Sequence, residues 1–131
     1  MVLDLNVPEW LQAKCAAWQD RLHMGEWDVT LRLALTLDNN EDCKGLCEQY
    51  QDINLGRITL RADVEDNREW EQTLVHELLH IKHSRVDAVI DRVLEPQLNA
   101  STAIIQTVYR LAMEPFIESM AKSLVEMHRG K

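Results

Sequence analysis

Cysteine, glycine, proline and basic side chains are all scarce in this chain, and each scarcity closes off a class of protein. Three cysteines in 131 residues cannot build a disulfide framework, and Cys43-x-x-x-Cys47 has no companion pair with which to make a four-thiolate zinc site. Free thiols are expected, with Cys15 buried on a helix. Four glycines and three prolines, beside 46% hydrophobic and 27% charged residues, describe a globular chain rather than a disordered one. Lys and Arg number 14 against 22 Asp and Glu, a formal net charge of −8. With no Lys/Arg cluster either, the sequence argues against a nucleic-acid partner. No apolar run approaches the roughly 18 residues of a membrane span. The start, Met1 to Glu9, has neither a basic n-region nor a continuous apolar h-region, so the expectation is a cytoplasmic protein with no membrane contact. The length fits one domain, residues 1–131.

What is present centres on Thr73 to Ile81, which contains His76-Glu77-Leu78-Leu79-His80. This is the H-E-x-x-H spacing. Residues four apart on a helix share a face about 6 Å apart along the axis, so both imidazoles can direct a nitrogen at one Zn²⁺. Glu77, rotated by about 100°, is placed to act on a water as general base rather than to ligate. Trp70, Leu74, Leu78 and Ile81 form an apolar stripe for the core, and the histidines lie nearly opposite. Val75 and Leu79 add apolar surface beside them, as expected for the floor of a cleft.

Around this motif the periodicity predicts an α+β chain. Trp10, Leu11, Cys15, Trp18 and Leu22 recur at helical spacing after Pro8, giving an N-terminal helix over 8–23 that stops at Gly25. Strict alternation from Trp27 to Leu37 predicts a long strand, and Asp38 to Asp42 a polar turn. A more polar strand follows from Leu46 to Asp52. A third has Ile58, Leu60 and Ala62 facing inward and Thr59 and Arg61 outward. Short connections make a mainly antiparallel, three-stranded meander the default. The motif helix is expected to start near Asp66 or Asn67 and end near Ser84. A short helix then spans Val86 to Val93, and a last helical stretch runs from Asn99 to His128. Pro115 should kink or restart it, with Glu114 near the new N-cap.

A catalytic zinc site usually has three protein ligands and one open position. His83 shares the histidine face but lies about 10 Å from His76 along the axis. Val86 stands where a metzincin's third histidine would fall, which excludes that pattern. A carboxylate from the last helix remains, and Glu114-Pro115-Phe116-Ile117-Glu118 offers two, one turn apart.

This arrangement resembles the gluzincins, zinc peptidases in which the H-E-x-x-H helix supplies two histidines and a later helix a glutamate. An acid four residues beyond that glutamate commonly hydrogen-bonds a ligating histidine. The whole chain is similar to small single-domain zincins, some of them phage-encoded. The resemblance implies one Zn²⁺ held by His76, His80 and Glu114, with Glu118 supporting a histidine and Glu77 as the catalytic base. It implies a metallopeptidase acting on a peptide or protein substrate. Lys82 departs from the apolar residue such helices usually carry there. No oxyanion donor stands out; Tyr50 and Tyr109 are the available phenols. Two other functions fit the residues: a zinc-stabilised binding module without turnover, and a metal-free interaction protein.

Overall fold

The computed structural model describes residues 7–35, 44–62, 67–97 and 99–129. Among them are three α-helices and one three-stranded sheet: α1 (Glu9–Arg21), β1 (Asp28–Ala34), β2 (Gly45–Tyr50), β3 (Leu55–Arg61), α2 (Asn67–Leu94) and α3 (Ala100–Arg129). Among the described residues no helix is long and apolar enough to cross a membrane. Leu37, Cys43, the Asp38–Asp42 turn and Asp66 lie outside the described residues.

The α1 helix begins directly after Pro8, whose carbonyl accepts from the amides of Leu11 and Gln12. It ends at Arg21, before the expected stop at Gly25. His23 supplies the reversal with φ 55°, and the Gln19 side-chain amide fastens the turn by donating to the carbonyls of Met24 and Trp27. The β1 strand is shorter than its alternation suggested. It ends at Ala34, and Leu35 is exposed.

The sheet corrects the expected meander. Its order is β1-β3-β2, with β2 antiparallel to β3 but β1 parallel to it. A 3₁₀ turn at Gln51–Ile53, with Asn54 at φ 51°, makes β2 and β3 adjacent. The longer passage from β1 to β2 leaves room for β3 to insert between them. The facing of β3 is as its alternation predicts, with Ile58 and Leu60 fully buried.

Two further corrections concern the helices. α2 runs unbroken through Ser84 to Leu94, since no Gly or Pro interrupts 82–94. The separate short helix of 86–93 is its continuation. α3 continues unbroken past Pro115, so the helix does not restart there and Glu114 lies within it and not at a new cap. Its start is capped by Asn99 and Thr102, each side chain bonded to the other's amide at 3.0 and 2.9 Å.

The core forms where α1, the sheet and α3 close on α2. Leu74, Val75, Leu78 and Ile81 are all fully buried, and each contributes about 1.5–3 kcal/mol of burial. The sheet comes close enough to α2 that two glycines are needed. A Cβ at Gly56 would lie 2.8 Å from Ile81 Cδ1, and one at Gly45 would lie 2.7 Å from Thr73 Cγ2. Lys82 has a use in this packing, since its ammonium donates to the Leu22 carbonyl at the end of α1.

Candidate metal centre

His76 and His80 rise from consecutive turns of α2 towards α3, which is where helical spacing places them. Their Nε2 atoms are 3.2 Å apart. Glu114 of α3 spans the pair, with one carboxylate oxygen 2.9 Å from His76 Nε2 and the other 2.8 Å from His80 Nε2. One turn later, Glu118 Oε2 lies 2.5 Å from His76 Nδ1. That Nδ1 is buried, and the Glu118 contact is close in distance without the alignment of a hydrogen bond.

The donor set suits a divalent cation. One ligand atom from each of His76, His80 and Glu114 lies within 4.8 Å of the others. A tetrahedral ion with bonds of about 2.0–2.1 Å sets its ligands about 3.3 Å apart, close to the separation of the two imidazole nitrogens. Glu118 beside Nδ1 favours the tautomer that leaves the His76 Nε2 lone pair free for an ion. His83 is engaged elsewhere. Its Nδ1 is 3.1 Å from Asp87 Oδ1, and the same oxygen accepts from Tyr109 at 2.9 Å.

Glu77 lines, together with His76, Glu114 and Glu118, a cleft of about 620 Å³ between the start of β2, the first turns of α2, and α3. The α2 residues lining it are Arg68, Glu69, Gln72, Thr73, His76 and Glu77. Val75 and Leu79 do not line it. Val75 is in the core and Leu79 packs against it, so the cleft is more polar than the sequence suggested. Its walls carry ion pairs, Lys44 with Glu69 and Lys122 with Glu118.

Burial raises the Glu77 carboxyl above its ordinary range; a hydrogen bond from the Cys47 thiol and the nearby histidines pull the other way, and Glu114 adds to the rise. The Cys47 thiol is itself pushed up, first by burial and then by Glu77, so it stays protonated as a donor. The sequence reading missed this residue. Its signal was the alternation of β2, which puts Gly45 and Cys47 on one face, the face that Gly45 presses against α2. Neither tyrosine lines the cleft: Tyr50 donates to Glu48 on the exposed end of β2, and Tyr109 bonds Asp87.

A second buried glutamate was also missed. Glu71, 1% exposed, accepts from Trp18 Nε1 at 2.8 Å and from Arg129 at 3.1 and 3.2 Å, with Lys14 Nζ at 3.4 Å. Its burial alone would raise the carboxyl, but these partners outweigh burial and hold it below the usual range.

No protein-family model, curated protein or solved structure matches the chain.

Proposed function

We propose that this chain is a zincin-like, zinc-dependent metallopeptidase. The observation that carries the reading is the convergence of His76, His80 and Glu114 from two helices, with the buried Glu77 carboxylate beside them on the cleft side. His76, His80 and Glu114 would hold Zn²⁺, which when bound would supply Lewis-acid chemistry, making a water more acidic and a carbonyl more electrophilic.

The remaining steps belong to the chain's own side chains. Glu77, with its basicity raised by burial, takes the proton of the attacking water and returns it to the leaving amine. Glu118 holds the His76 ring from behind. Among the described strands β2 pairs with β3 alone, and its first residue lines the cleft. An extended peptide adding to this edge would lie along the motif helix.

Metal analysis tests the reading. The purified protein should hold about one Zn²⁺ per chain. His80→Ala should lose it and Glu114→Gln should weaken it by about tenfold or more, while His83→Ala should bind as the unaltered chain does. Undiminished zinc in His80→Ala, or a larger loss in His83→Ala than in Glu114→Gln, would remove the metal from this set.

A further inference from the structure

The sequence has no Lys/Arg cluster, yet the fold makes one. Lys44 just before β2, Arg68 in the first turn of α2 and Lys122 late in α3 all line the cleft beside the candidate metal centre. They are three of 14 cationic residues in a chain with 22 acids, and each comes from a different part of the fold. Lys44 is fixed at its backbone, where its carbonyl accepts from the Arg61 amide at 3.0 Å. The three side chains stay 54%, 43% and 58% exposed. Among the described residues lining the cleft there is no Leu, Ile, Val, Met, Phe, Tyr or Trp. An apolar substrate side chain gains no hydrocarbon wall there, so selection in this cleft rests on charge.

We propose that Lys44, Arg68 and Lys122 are specificity-determining residues that recognise a carboxylate of the substrate peptide, an inference that rests on the peptidase reading. The acids of the cleft are engaged or shielded. Glu114 and Glu118 lie against the histidines, and Glu77 is buried. Glu69 remains, and it is paired with Lys44. Arg68 donates to Glu126 at 2.8 Å, and Glu126 does not line the cleft. Ion pairs this exposed are weak, so an incoming anion can share their cations. The carboxylate comes either from an Asp or Glu side chain near the scissile bond or from the end of the peptide; both present the same group to the same three cations. A lysine-bearing peptide meets three like charges, with Glu69 as the one acid of the outer wall to offset them.

Fluorescence anisotropy on the full chain carrying Glu77→Gln is the test, because it reads binding without turnover. The probes are a short labelled peptide of Ala, Ser and Gly with a central Glu, Gln or Lys, each amidated at its C-terminus, and the Gln peptide again with a free terminal carboxylate. The Glu peptide or the free-acid peptide should bind about tenfold or more tighter than the amidated Gln peptide, the margin of one charge-assisted hydrogen bond. The Lys peptide should bind most weakly, and the advantage should shrink as salt is added. An advantage of the Glu peptide assigns the site to a side chain, and one of the free-acid peptide assigns it to a chain end. Lys44→Gln, Arg68→Gln and Lys122→Gln should each reduce the advantage by about threefold and together abolish it. Should Arg68→Gln lower the melting temperature, the Lys44→Gln and Lys122→Gln pair carries the test. Arg110→Gln, which removes the same charge from α3 outside the cleft, should leave the advantage intact. The proposal is overturned by equal binding of all the peptides, by tighter binding of the Lys peptide, by an advantage that survives the combined substitutions, or by one that Arg110→Gln reduces as much. Zinc and cleavage in the unaltered chain are measured beside it. Both present with no carboxylate preference sinks this inference alone; the preference with neither present keeps the carboxylate site and sinks the peptidase reading.

Discussion

Glu71 and Glu77 stand on the same helix, both shielded from solvent at 1% and 7% exposure, and their surroundings drive them in opposite directions. Around Glu71 the chain assembles an indole N–H, an ammonium and a guanidinium, and the carboxyl is held down. Around Glu77 no lysine or arginine is among the influences; a thiol and two imidazoles offset burial only in part, and the carboxyl is pushed up. Burial of a carboxylate is costly in both places. At Glu71 the cost is met by partners that tie α1, α2 and the end of α3 together, which is a structural role. At Glu77 the charge is left poised beside a metal-competent trio, as expected of a group that exchanges protons.

The largest test of this contrast removes the base. With zinc retained, Glu77→Gln should reduce hydrolysis of an unfolded protein or peptide library by about two to four orders of magnitude, with little change in melting temperature. Cleavage at an undiminished rate would place the base elsewhere. Next in size is Glu71→Leu, which strands the Trp18 N–H while Lys14 and Arg129, each about two-fifths exposed, turn to water. The loss should be about 1–3 kcal/mol, read as a melting point lower by roughly 3–12 °C, with zinc content unchanged. If zinc were lost as well, the two glutamates would belong to one site.

The smallest effect is in acid. Glu71 has a folded pKa below its unfolded value, so its stabilisation is complete above about pH 4.3 and is lost as pH falls through the folded pKa. The gap in melting temperature between the unaltered chain and Glu71→Gln should be widest near neutrality and close as pH falls through the folded pKa of Glu71. A gap of constant size would show that the carboxylate's charge does not contribute.

How much of this was legible in the sequence follows from the range of each signal. His76, His80 and Glu77 are fixed by local helical geometry, so their mutual placement could be read directly. Glu114 and Glu118 were legible as a one-turn pair, and α3 brings that pair to the histidines. Alternation in β3, and in β1 as far as Leu33, told which side chains face the core, although Ala34 is buried and Leu35 exposed; alternation says nothing about which strand is the neighbour or in which direction it runs. The parallel β1–β3 pairing was therefore hidden. Glu71 was hidden for a related reason: its partners Trp18, Lys14 and Arg129 come from both ends of the chain, and a lone Glu on a helix reads as solvated. The continuity of α2 and α3 was misjudged because an aliphatic cluster after Ser84 and a proline at 115 both look like boundaries. In α3 the proline is carried inside a helix whose later turns are anchored by Ile117, Ala121 and Val125.

The central position of β3 also sets an order of assembly. Its pairing with β2 joins Tyr50 to Leu55 across a tight turn, a closure of the kind completed in microseconds. Its pairing with β1 joins Asp28 to Leu55 and requires a much longer loop to close first, the kind of contact that slows folding. On the ribosome, β1 emerges before β3, the strand it pairs with among those described. Its backbone edge stays unpaired until β3 has been synthesised as far as Arg61.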